Sequence, residues 1–256
     1  MPRMTDTNES AAASRYPQAC EALRLLGCPD PAGFVAEYDR VRDPVTARID
    51  ELGHTISYSA RQDNEMAYLL YALTRFSKPA LVIETGVASG FSSAVILSAM
   101  QANGAGRLIS LDYPAYSETA RQIAFDVSHF SWGLNMRSLK RIARWAYGRR
   151  RFIPPGMEPG WAVPDALRER WTLLKGESRR TLQSAARESP DIFIHDSDHS
   201  YANMDFELQW GWARLRPGGV IMADDIKLNA AWDEFVQRQS PATHTVIAAR
   251  LGIARK

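Results

Sequence analysis

Cysteine is nearly absent: Cys20 and Cys28 are the only 2 in 256 residues. Neither sits in a metal-ligand spacing, which argues against a zinc site and against a disulfide scaffold; both read as reduced packing residues. No apolar run is long enough to span a bilayer. The start of the chain has neither the charged opening nor the apolar core of a secretion signal, so a cytoplasmic location is expected. An excess of one charge is missing too: 31 Lys and Arg stand against 29 Asp and Glu, a formal net charge of +2. That balance gives no reason to expect nucleic acid as a partner. No internal repeat is present. A G-x-G-x-x-G turn is also lacking, so a dinucleotide pyrophosphate has no loop to approach.

What is present is an ordinary globular composition, 45% hydrophobic and 23% charged, in a chain long enough for one sizeable core. Residues 1–16 read as a disordered tail. Residues 17–55 read as two helical pieces, broken at Gly27 and at Pro29-Asp30-Pro31. Ser59-Ala60-Arg61-Gln62 is a capping box for a helix through 66–73. Residues 17–78 thus form an N-terminal helical unit, suited to a cap or a dimer contact. From 79 to 256, strand and helix alternate. Strands are predicted at 80–84, 106–112 and 171–176, and again before Asp196 and Asp224. Helices are predicted at 91–100, 179–188, 203–215 and 229–239, and a hairpin of 243–249 with 251–255 closes the chain. This pattern predicts an α/β fold with a Rossmann-like sheet, mostly parallel with an antiparallel C-terminal hairpin and helices on both faces. Residues 115–151 look like a helical insertion, with a helix at 117–129. Its part at 137–151 has no acidic residue and reads as a solvated basic face, a lid or an anion-binding surface.

Glu84-Thr85-Gly86-Val87-Ala88-Ser89-Gly90 follows the first strand and opens a helix. The spacing is G-x-x-x-G, with Ala88 in the middle, which suits a ligand without phosphates. Glu84 would repel a phosphate but hold an ammonium. Asp112, ending the second strand, is placed to accept hydrogen bonds from two ribose hydroxyls. An ammonium at one end and a ribose at the other describe S-adenosylmethionine. Gly86, Gly90 and Ser92 join Glu84 and Asp112 as donor-site candidates, and Glu177 and Ser178, after the third strand, are candidates for the adenine.

The most informative stretches are Asp191-Ile192-Phe193-Ile194-His195-Asp196-Ser197-Asp198-His199 and Gly218-Gly219-Val220-Ile221-Met222-Ala223-Asp224-Asp225. Each is an apolar strand with carboxylates at its C-terminal end, the edge where open parallel sheets gather ligands. Oxygen clusters of this kind suit hard cations such as magnesium, and a neutral imidazole beside one is a general-base candidate. His195 is expected to face away from Asp196, as a packing residue or a hydrogen-bonded core group. Asp225 has a second possible use as the N-cap of the next turn. Trp161 and Trp171 are candidates for stacking on a sugar face, with core packing the alternative for Trp171.

The Glu84–Gly90 loop, Asp112, the Asp196–Tyr201 motif and the Gly218–Asp225 strand resemble class I S-adenosylmethionine-dependent methyltransferases. Within that class they are similar to the macrocin O-methyltransferase and cephalosporin-hydroxylase-like group, over roughly residues 58–112 and 152–255. The resemblance implies Asp196, Asp224 and Asp225 as magnesium ligands, with Asp196 also close to the donor, and His199 or Asp198 as the base. It implies O-methylation of a sugar hydroxyl or of a glycosylated, natural-product-like small molecule. The N-terminal helices make a homodimer the expected assembly. Two rival readings stay open at this point. The basic insertion could recruit RNA, making the chain an RNA methyltransferase. Alternatively, the chain could bind S-adenosylmethionine without catalysis, as an interaction protein.

Overall fold

A computed structural model of the protein describes residues 14–51, 65–113, 153, 157–185 and 188–256. The capping box at 59–62, the helix at 117–129 and the whole insertion at 115–151, with its basic stretch, lie outside the described residues, as does most of the expected tail.

Among the described residues three helices come first: α1 (Pro17–Leu25), α2 (Val35–Glu51) and α3 (Glu65–Ser77). Proline at the first position of α1 is compatible with a helix start, where its missing N–H costs nothing. The structured chain begins earlier than the sequence suggests. Tyr16 is buried, stacking on Tyr68 at 4.5 Å and meeting Tyr38 edge-on at 5.9 Å. An aromatic of this size offsets the entropy of ordering the residues around it.

The catalytic-size unit alternates strand and helix: β1 (Leu81–Thr85), α4 (Phe91–Asn103), β2 (Arg107–Asp112), β3 (Trp171–Lys175), α5 (Ser178–Ala185), β4 (Ile192–His195), α6 (Tyr201–Arg214), β5 (Val220–Ala223), α7 (Ala231–Gln239), β6 (Thr243–Ile247) and β7 (Leu251–Arg255). The seven strands lie in the order β3-β2-β1-β4-β5-β7-β6. The first five of that order are parallel, and β7 runs antiparallel to both β5 and β6. The predicted α/β class, parallel majority and closing hairpin are all present. Strands buried on both faces read as continuous apolar runs, as Leu81-Val82-Ile83 and Ile192-Phe193-Ile194 do. One apolar core joins α1, α2, α3 and α4 to one face of the sheet; a second packs α5, α6 and α7 on the other.

Strand order reverses at β1, between β2 and β4, so the C-terminal ends of β1, β2 and β4 open a crevice at that point. Among the described residues no helix is long and apolar enough to cross a membrane. Both cysteines are buried and unbridged.

Candidate active site

The turn after β1 holds Gly86 at φ +85° and Gly90 at φ +87°, a region L side chains rarely adopt. Space matters as much as conformation. A Cβ on Gly86 would lie 1.8 Å from the Asp196 carbonyl oxygen, and one on Gly90 would lie 2.7 Å from the Gly160 Cα. The first glycine lets the end of β4 close against the end of β1. The second lets residues 160–163 lie over the turn, where Gly160 and Ala162 donate to the Ala88 and Ser89 carbonyls, each at 2.9 Å.

Asp112 leaves β2 beside this turn, and its Oδ2 accepts the Val87 and Ala88 N–H groups, both at 2.9 Å. Burial raises its pKa, and those two bonds oppose the rise. Glu84 is more deeply placed than the sequence suggests. Its carboxylate is buried beneath the turn and accepts the hydroxyls of Ser92 (2.5 Å), Ser93 (2.5 Å) and Ser110 (2.7 Å). Burial pushes its pKa up, with the three hydroxyls opposing. Glu84 and Ser92 therefore tie β1, α4 and β2 together under the turn, instead of presenting a free carboxylate to an ammonium.

A cleft of about 340 Å³ opens over the C-terminal ends of the central strands, lined by Leu111, Tyr113, Glu177, Ser178, Ser197 and Asp198 among others. This brings the two adenine candidates to the same cavity as the end of β2. Ser178 Oγ also donates to the Asn203 side chain at 3.0 Å. Asp198 faces this side. Its carboxylate accepts the Ser200 N–H (3.1 Å) and hydroxyl (2.8 Å), tightening the loop into α6.

His199 points elsewhere, toward the carboxylates. Its Nε2 lies 3.6 Å from Asp196 Oδ1 and 3.7 Å from Asp225 Oδ2. Burial, and then the neighbouring His195, hold its pKa below the ordinary imidazole value against the pull of Asp225, Asp224 and Asp198. Asp196 is raised well above the usual carboxylate range by lost hydration, then by Asp224 and Glu84, while Arg250 opposes. Asp225 occupies the N-cap position of the turn Ile226–Leu228, at φ +51°, but its side chain makes no capping hydrogen bond. Aspartate tolerates this left-handed backbone better than most residues. Trp161 is buried in the core, and the Trp171 indole donates to Ser110 Oγ at 2.9 Å; neither ring is free to stack on a ligand.

Sequence reasoning missed two partners. The first is Glu207, fully buried on α6. It bonds His195 Nδ1 at 2.6 Å and accepts from Thr85 (2.5 Å), Ser197 (2.8 Å) and Asn203 (3.0 Å). Burial alone would raise its pKa, but the His195 interaction and the hydroxyls bring it below the ordinary value. His195 is the buried, hydrogen-bonded group the strand alternation predicts. The second is Arg250, from the turn between β6 and β7. Its Nε donates to Asp224 Oδ1 at 2.8 Å, and its Nη2 reaches both Asp224 Oδ2 and Asp225 Oδ1, the latter at 3.0 Å. The hairpin register contains the signal: Ala223 pairs with Gly252, which sets Arg250 beside the residues following β5.

The three carboxylates expected to bind magnesium do gather at the ends of β4 and β5, and oxygen is the correct donor for that ion. Their placement does not fit it. Both oxygens of Asp224 and one of Asp225 are committed to Arg250. Among the described residues, no group of three or more His, Cys, Asp and Glu is arranged to hold a metal.

Residues 83–226 match the family model described as a methyltransferase domain. That span contains the glycine turn, Asp112, Asp196–His199 and the Asp224-Asp225 pair, and stops short of Arg250. Among solved structures, the O-methyltransferase NovP superposes with a TM-score of 0.57 at 14% identity, covering 86% of this chain and 98% of that one. The S-adenosylhomocysteine-bound methyltransferase PaMTH1 of Podospora anserina gives 0.51 at 14% identity, covering 83% and 87%. At such identity the likeness is one of fold. No curated protein matches the chain.

Proposed function

This chain belongs to the methyltransferase-domain family, and from that premise we propose that it moves the methyl group of S-adenosylmethionine to a hydroxyl of a small-molecule acceptor. The observation that carries the reading is the placement of His199, its Nε2 3.6 Å from Asp196 and its pKa lowered by burial, at the carboxylate-lined end of the crevice whose other end is the 340 Å³ cleft. The O-methyltransferase fold neighbours support it.

The cleft suits a nucleoside-sized group. In this reading Glu177 and Ser178 border the adenine, Asp112 the ribose and Gly86 the methionyl end. The bound sulfonium supplies an activated methyl, so the protein need only align the acceptor and remove its proton. His199 Nε2 takes that proton as the acceptor oxygen bonds to the methyl carbon and the carbon–sulfur bond breaks. Asp196 and Asp225 face the imidazolium that results. Asp198, engaged with Ser200 and lining the cleft, serves the donor side and is the second choice of base.

No step is routed through magnesium, because Arg250 already neutralises Asp224. A sugar hydroxyl is the acceptor class we propose: Tyr201, two residues after His199 in the chain, has a half-exposed ring anchored to Glu234 at 2.6 Å that offers a face for stacking. The test is calorimetric binding of S-adenosylhomocysteine, followed by mass spectrometry of a hydroxyl-acceptor panel. Micromolar binding that weakens at least tenfold in Asp112→Ala, with a 14-Da gain on an acceptor oxygen, is expected; no binding would refute the reading.

A further inference from the structure

Three carboxylates at two adjacent strand tips repel one another unless a positive charge sits among them. Here that charge is a guanidinium. Asp224 is almost completely buried, with its side chain 5% exposed, and Arg250 grips it through Nε and Nη2 while also reaching Asp225. The two-pronged contact matches the fork of a guanidinium to the plane of a carboxylate, and this group stays charged at any working pH.

The backbone is built to deliver it. The Arg250 N–H donates to the Ile247 carbonyl at 3.1 Å, and its carbonyl accepts from Ile226 N–H at 3.0 Å. Ala248 and Ala249 precede it at φ +51° and +53°. Alanine is disfavoured in the left-handed region, so two in succession are strained. A turn that needed only to reverse direction would be better served by glycine.

We infer that Arg250 is the resident cation of this site. It stands where a divalent ion would otherwise bind Asp224 and Asp225, makes the reaction independent of added metal, and positions Asp225 against His199. Arg250 acts through the carboxylates and is a positioning residue. Its catalytic consequence rests on the proposed methyl transfer, but its effect on metal binding does not, so the two fail separately.

The experiment is manganese titration of the full-length protein, followed by electron paramagnetic resonance, on wild type, Arg250→Ala and Arg250→Lys. Wild type should take up no manganese at 0.1 mM-scale concentrations (about a hundred micromolar), whereas Arg250→Ala should gain at least a tenfold tighter uptake as its carboxylates are released. Arg250→Lys, keeping the charge without the fork, should stay closer to wild type in uptake. Methyl transfer by wild type should survive EDTA, and Arg250→Ala should lose it mainly in kcat, with partial rescue by magnesium. Stoichiometric manganese binding by wild type, abolished in Asp224→Asn, would overturn the inference. So would uptake by Arg250→Ala indistinguishable from wild type.

Discussion

Glu84 and Asp224 are both buried carboxylates near the C-terminal ends of β1 and β5, the two parallel strands that flank β4, and the fold satisfies them in different ways. Glu84 receives three serine hydroxyls; Asp224 receives a guanidinium. Burial pushes Glu84 toward its protonated form; the hydroxyls oppose that without adding charge, and Glu84 acts as a strut under the glycine turn. A guanidinium instead brings a full positive charge against its partner. One end of the crevice is thus built to be quiet and the other to be electrically active. The imidazole of His199, its pKa lowered by burial, belongs to the second.

The harshest way to break this contrast is Asp224→Ala. It removes the two-pronged partner of Arg250 and leaves the guanidinium only Asp225, so turnover should fall at least about 10³-fold while S-adenosylhomocysteine binding stays within roughly threefold of wild type. Loss of stability should be about 2–3 kcal/mol, less than for a fully buried pair because Arg250 keeps partial access to water. Urea melts and initial rates give both numbers. Next is Glu84→Ala, which orphans three hydroxyls and opens a void, at about 2–3 kcal/mol with much less direct effect on chemistry.

Glu84→Gln sharpens the comparison through pH. The folded-state pKa of Glu84 is raised, so its carboxyl contributes stability that is full below the ordinary carboxylate pKa and is lost as pH rises through the raised value. The cost of Glu84→Gln should therefore shrink as pH rises across that window, measured by thermal melts. Glu207, with a lowered pKa, has the opposite sign: its contribution is present above the ordinary value and lost as pH falls through the lowered one. The smallest effect concerns the turn itself. Ala88 sits at φ +49°, so Ala88→Gly should relieve strain and stabilise by about 0.5 kcal/mol, raising Tm by about 1–2 °C.

What could be read from the chain was whatever a short stretch determines by itself. Apolar strands ending in Asp196 and Asp224, the glycine turn, and the final hairpin all announce themselves locally, and they carry the fold. Arg250 and Glu207 did not, because each meets its partner through strand register or across a helix. Nor could adjacent residues be told apart: Asp198 turns to the start of α6 and the cleft, while His199 turns to the carboxylates. Glu84 looked like a ligand contact because its three serines come from α4 and from β2, both remote from the residue itself.

The most direct measurement is the pH dependence of kcat/KM for methyl transfer by wild type and His199→Ala. If His199 is the base, wild-type activity should decline on acidification through a pKa below the ordinary 6.5 of imidazole, and His199→Ala should lose both that inflection and about 10²–10⁴ in rate at unchanged donor affinity. A His199→Ala enzyme with the wild-type rate and the same acid limb would contradict it.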